Sequence, residues 1–224
     1  MHFSRSWSRA SSKLWRPLRI CKRFAKGQTI YEEGKPAAEI WVVASGQVKI
    51  VKFSEGGQAL ALELMIAPEL FGAVFYAQDP VYPCSAIALQ ETAVLRFRVA
   101  DLFSCSNKNS RLQNAMLAET CRRFCHAQNM RGLAMEKASK RVAYVIVYLH
   151  RKFGSEILHS RATLAELAGV TVETAIRTTS LLNQRGIIET KRGSIEVLSL
   201  AMLEEFAFGI PAKNRPAIVA RRQS

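Results

Sequence analysis

From Phe24 to about Phe97, short apolar runs recur between glycine-bearing turns. The runs are TIYEE, IWVVAS, QVKIVKF, ALALELM, SAIAL and TAVLRFR, with Gly27, Gly34, Gly46, Gly56, Gly57 and Gly72 between or beside them. Strands and turns at a regular spacing of about 8–12 residues predict an antiparallel sandwich or barrel. Residues 98–107 are short and mixed, with Asp101 placed to cap a helix.

The pattern changes at Ser110. From there to Phe153 there is one glycine, Gly132, and no proline, which predicts helix. Leu117, Cys121, Phe124, Gln128, Arg131 and Met135 form a heptad-like seam, apolar in its first half and polar after it. Such a seam suits a helix packed on its own domain, and equally a helix that pairs with a second copy. A second helix over about 137–153 carries VAYVIVYL as a buried run, and Gly154 stops it.

The stretch ELAGVTVETAIRTTSLLNQRGII, residues 166–188, is rich in β-branched residues and by propensity suggests a strand. Its punctuation favours helices. Ser160 caps a short helix in which Leu164, Leu167 and Ala168 share a face. Gly169 ends that helix, and Thr171 caps a second one on which Ala175, Thr178, Thr179 and Leu182 share a face. Two helices joined by a short glycine turn make a helix-turn-helix. After Gly186, IIETKRGSIEVLSL reads as strand, basic turn and strand, a wing, and AMLEEFAF closes as a short helix.

Glu173 and Arg177 are i,i+4 neighbours at the start of the second helix, the end that enters the major groove. Arginine can take guanine O6 and N7 together, and a carboxylate can accept from cytosine N4. The same two residues can also be an ordinary surface pair on a helix. Phosphate contacts are expected from Ser160, Arg161, Thr171 and Thr174 at the helix starts and from Lys191 and Arg192 on the wing.

Charge adds less than its size suggests. The net charge is +14, but residues 1–26 hold eight Lys/Arg and no acid, and residues 211–224 hold four and no acid. Between them 20 basic residues face 18 acidic ones, and residues 161–208 are nearly neutral. Basic tails can hold phosphates without reading sequence, or can simply be solvated. The most apolar window, Ala59–Ala77, is broken by Glu63, Pro68 and Glu69, so no membrane span is expected. The N-terminal tail lacks the apolar run of a secretory signal. Five cysteines, at 21, 84, 105, 121 and 125, do not form a disulfide framework, and a reducing cytoplasmic setting is expected.

The chain resembles the Crp/Fnr superfamily of transcription regulators over residues 24 to about 208. FAKGQTIYEEGKPAAEIWVVASGQVKIVK is similar to the family's β-roll opening, ELFG to its mid-roll signature and LAELAGVTVETAIRTTSLLNQRGII to its helix-turn-helix. TVET..R is similar to the fumarate–nitrate branch in particular, although Ile176 stands where that branch has serine, and Thr178 and Thr179 stand where the family has leucine or isoleucine. The resemblance implies an α+β chain with a sensory antiparallel β-roll over 24–108, a dimerisation helix over 109–136 and a winged helix-turn-helix over 137–208, and the charge pattern adds a basic arm over 1–23 and a basic tail over 209–224. It further implies a homodimer that works with RNA polymerase, with base contacts to double-stranded DNA from Val172, Glu173, Ile176 and Arg177.

The sensory site departs from the family. Its cyclic-nucleotide cassette follows Phe-Gly with glutamate and later has Arg-Ser/Thr-Ala; here Ala73 and Cys84 stand in those places, beside Gly72 and Ser85. Cyclic AMP in the usual mode is therefore not expected. An iron–sulfur sensor is unsupported, since Cys21 is the lone cysteine near the N-terminus. The effector stays open: an unknown small molecule in a pocket at Gly72, Ala73, Cys84 and Ser85; a redox, metal or haem signal at Cys121, Cys125 and His126; a thiol response at Cys84; or none. The reading is a sequence-specific DNA-binding regulator. Its rival is a ligand-binding or scaffold protein whose nearly neutral winged helix meets other proteins. No nucleophile–base pair, metal-ligand set or phosphate loop points to an enzyme.

Overall fold

The computed structural model describes residues 20–72, 80–107 and 109–209. Residues 1–19 of the expected arm, Ala73 of the expected pocket and residues 210–224 of the expected tail lie outside them. Packing divides the chain into two compact units, with the boundary after Cys125 inside a long helix.

Eight strands precede the first helix: β1 (Ile20–Phe24), β2 (Thr29–Tyr31), β3 (Glu39–Ser45), β4 (Gln47–Phe53), β5 (Ala59–Ile66), β6 (Leu70–Phe71), β7 (Ser85–Ala88) and β8 (Thr92–Arg98). They form two four-stranded sheets, ordered β1-β8-β3-β6 and β2-β7-β4-β5. β1 begins inside the span expected for the arm: Ile20–Arg23 pair antiparallel with β8 and lead into Phe24, whose ring meets Trp41 edge-on at 6.5 Å. Five ladder positions outweigh the basic side chains, which a strand can leave exposed.

β3 shows why its sequence reads as a continuous apolar run. Trp41 and Val43 face the space between the sheets, where they join Tyr31, Phe71, Tyr82 and Met65. Ile40 and Val42 point the other way, to Leu102 of helix α1 (Val99–Ser106) and Leu112 of helix α2 (Ser110–Leu133). A strand covered on both faces cannot alternate. Asp101 does not cap α1 as expected. It lies in the first turn and takes the Arg98 guanidinium at 2.9 and 3.2 Å.

The second unit continues through α3 (Ala138–Phe153), β9 (Glu156–Ile157), α4 (Arg161–Ala168), α5 (Val172–Gln184), β10 (Ile188–Lys191), β11 (Ser194–Val197) and α6 (Leu200–Phe208). The buried run of α3 packs against α4, α5 and α6. Ile146, Leu149, Leu164, Leu182 and Leu203 are among the side chains fully removed from solvent, each contributing about 1.5–3 kcal/mol relative to exposure. The expected wing has a third strand, since β9 pairs with β11 through Ile157 and Ile195. Two residues are too few to show a period. Among the described residues no helix is long and apolar enough to cross a membrane.

Candidate nucleic-acid interface and sensory core

The reading elements are built by local hydrogen bonds. Ser160 is extended and its Oγ accepts from the Thr163 N–H at 3.1 Å, which starts α4. Gly169 ends that helix in the left-handed region, φ +60°, a conformation that favours glycine. Two residues on, the Thr171 Oγ1 accepts from the Thr174 N–H at 3.2 Å and starts α5. Helix therefore prevails over the β propensity of this stretch because both ends are capped and one face is buried.

On α5, Ala175, Thr178, Thr179 and Leu182 turn inward. The Thr178 and Thr179 hydroxyls, buried where the family has leucine or isoleucine, need partners, and each donates to a carbonyl of α5 itself, Thr174 at 2.8 Å and Ile176 at 2.9 Å. The opposite face brings together Val172, Glu173, Ile176 and Arg177, all exposed. Val172 is 45% and Ile176 49% exposed, unusual for β-branched apolar residues on a helix. Among the described residues no ion pair joins Glu173 to Arg177, so the ordinary surface pair is not formed. Ser180 and Gln184 extend this exposed face, Ser180 at 3- and 4-residue spacing from Arg177 and Ile176 and Gln184 four residues further on, a helical period that would have found them.

The six expected phosphate contacts are unequal. The Ser160 and Thr171 hydroxyl oxygens accept from cap N–H groups, and the Thr171 and Thr174 hydroxyls lie 3.0 Å apart. Arg161 is half-buried, and desolvation pulls its guanidinium below the ordinary value. Lys191 lies 2.9 Å from Glu196 and 3.0 Å from Glu189, and the bond to Glu196 leads the interactions that hold its ammonium above the usual range. Its charge is thus compensated within the wing, which leaves Arg192 exposed beside it. His159, next to Ser160, is buried, and burial pushes its imidazole down, so it adds no charge here.

In the roll, Gly72 takes φ +74°, and a Cβ there would meet Trp41 at 3.0 Å and Tyr31 and Tyr82 at 3.3 Å. Tyr31 stacks on Tyr82 at 3.8 Å between centroids and on Phe71 at 6.0 Å. Cys84 packs in this core; burial pushes its thiol up to about 11, which corrects the idea of an accessible sensing thiol. The Ser85 Oγ accepts from the Glu33 N–H at 3.0 Å, and Lys52 pairs with Glu33 at 2.8 Å. Lys52 and the Ser85 Oγ are thus both engaged with Glu33.

A charged cluster that the sequence did not reveal joins β5 to α2. Glu119 bonds Arg122 and Arg123, both of which approach Glu63, and Arg123 also donates to the Leu70 carbonyl. More than fifty residues separate Glu63 from its partners, so no spacing signals it. Further along α2, Cys121 and Cys125 are exposed while His126 stacks on Tyr148 at 4.9 Å. Among the described residues no three His, Cys, Asp or Glu side chains converge on a possible metal site.

Known proteins match both units. Residues 21–109 match the cyclic nucleotide-binding domain and residues 140–206 the Crp-like helix-turn-helix domain. The chain is 30% identical to a cyclic AMP receptor protein of Thermus thermophilus, over 84% of this chain and 88% of that one. It is 25% identical to the transcriptional activator protein anr of Pseudomonas aeruginosa, over 88% and 82%. FixK2 from Bradyrhizobium japonicum shares the fold with a TM-score of 0.76 at 21% identity, covering 84% of this chain and 97% of that one. Both matched domains and the receptor-protein relative give the same answer: the chain belongs to the Crp/Fnr family of transcription regulators, with a helix-turn-helix DNA-binding domain.

Proposed function

We propose that the chain works as a homodimer that reads a two-fold-symmetric DNA site through α5, under a signal other than a cyclic nucleotide. The observation that carries the reading is the unpaired Glu173–Arg177 face, flanked by exposed Val172 and Ile176. Arg177 would take a guanine and Glu173 a cytosine amino group, with the two apolar side chains against thymine methyls. The pattern is that of the fumarate–nitrate branch except at Ile176, so the half-site should differ from that branch at the base this residue meets. Phosphates would be held by Ser160, Arg161, Thr171 and Thr174, and on the wing by Arg192 rather than the compensated Lys191.

Pairing is supported by α2. Leu117 and Phe124 are each 63% exposed, and with Cys121 and Gln128 they line the seam that a second helix would cover. A non-cyclic-nucleotide signal is supported by Cys84 and by the closed bonds of Ser85 and Lys52. Exposed Cys121 and Cys125 are the thiols a redox signal would meet. Output would run through RNA polymerase in the cytoplasm.

Selection from random duplex DNA at several salt concentrations tests this. The expected product is an inverted repeat, and Arg177→Ala should weaken binding to it by roughly 5- to 150-fold and relax the base opposite, leaving the thermal midpoint unchanged. Enrichment without symmetry, lost uniformly with salt and indifferent to Arg177, would overturn it.

A further inference from the structure

We propose that Arg141 is a positioning residue for DNA reading, tying the end of the long helix α2 to the turn between α4 and α5. Its guanidinium spans two carbonyls that no local spacing connects. Nη2 donates to the Gly169 carbonyl at 3.1 Å, and Nη1 reaches the Ala134 carbonyl at 3.4 Å. Ala134 follows the last residue of α2, Leu133. Gly169 is the C-cap of α4, two residues before Thr171, which starts the reading helix.

The nearest acid does not divert this side chain. Glu136 pairs with Lys140 at 3.0 Å, and among the described residues no carboxylate pairs with Arg141. Its charge is therefore directed at the exposed carbonyl end of α4, where a cation is favourable. A planar fork can hold two acceptors at a fixed separation, whereas an ammonium on a flexible stem holds one at a time. Arg141 touches neither base nor phosphate in this arrangement. It would act by fixing where the turn, and with it the N-terminus of α5, sits relative to the last turn of α2.

Such a role has a signature that mere stability lacks. The inference rests on the homodimer reading, in which the α2 helices set the distance between the two reading heads. One added or removed base pair turns the second half-site by roughly 35°. A firmly placed head should reject that change, and a loosened head should tolerate it.

The test measures binding of the full chain, and of Arg141→Met and Arg141→Lys, to duplexes carrying the selected half-sites at the selected spacing and at one base pair more or less. Wild type is expected to prefer the selected spacing by on the order of tenfold, the worth of one charge-assisted hydrogen bond spent on placement. Arg141→Met is expected to bind the selected spacing about tenfold more weakly and all three spacings within about twofold of one another. Arg141→Lys should discriminate by less than about threefold, since it keeps the charge and loses the fork. It carries the test alone if Arg141→Met does not fold in a thermal melt. The same loss at all three spacings, or an unchanged profile in a folded variant, overturns the proposal. A wild type indifferent to spacing overturns the homodimer reading, and this inference with it.

Discussion

The roll and the reading head satisfy their buried polar groups in opposite ways. In the roll the bonds are long in sequence. The Trp41 N–H donates to the Tyr82 hydroxyl across 41 residues, that hydroxyl donates to the Glu39 carbonyl across 43, Glu33 reaches Ser85 across 52 and Gln47 reaches Thr92 across 45. In the reading head the hydroxyls bond three or four residues away: Ser160 with Thr163, Thr171 with Thr174, Thr178 with Thr174 and Thr179 with Ile176. Its distant ties are carried by arginines instead, Arg141 to Gly169 and Arg151 to Glu204. A head built from local caps keeps its shape wherever the helices are placed. The roll's interior holds only if its two sheets close together.

The difference is sharpest at Tyr82. Tyr82→Phe leaves the stacked ring, strands the buried Trp41 N–H and takes a bond from the carbonyl of half-buried Glu39. The expected loss is about 1–3 kcal/mol, read from the urea midpoint. Thr171→Ala removes one N-cap at an exposed helix start, where water can take the freed N–H, and should cost about 1 kcal/mol. Selection should show the two apart: Tyr82→Phe leaves the chosen DNA site unchanged, while Thr171→Ala weakens binding because it frays the first turn that carries Glu173. A larger loss of stability from the cap than from the tyrosine would reverse the comparison.

That contrast also explains what could be read from the chain. Ser160, Gly169 and Thr171 are visible in sequence because each acts within four residues, so the helix-turn-helix and its exposed face followed from punctuation. The strands of the roll followed from spacing. Its contents did not. Whether Cys84 lines an open pocket or packs in a filled core depends on Tyr31, Trp41, Phe71 and Tyr82, which meet only when the sheets close. The Glu63 cluster and Arg141 escaped for the same reason. β1 escaped for another: its arginine and lysine resemble the tail before it, and its partner β8 lies more than sixty residues away.

The smallest expected effect probes the local side hardest. Thr179 is 2% exposed, and its hydroxyl donates to the Ile176 carbonyl inside its own helix. That carbonyl keeps its ordinary place in the i→i−4 ladder of α5 without the extra bond. Thr179→Val exchanges the hydroxyl for a methyl of nearly the same shape and strands no partner. It also removes a back-bonding group that slightly disfavours helix. Stability should stay within about 0.5 kcal/mol of wild type and the selected DNA site should not change. Thr179→Ser, which keeps the hydroxyl and loses a buried methyl, should cost more, about 0.8 kcal/mol. If urea unfolding ranked these two the other way, the Thr179 hydroxyl would be holding something beyond α5, and the reading head would not be locally built.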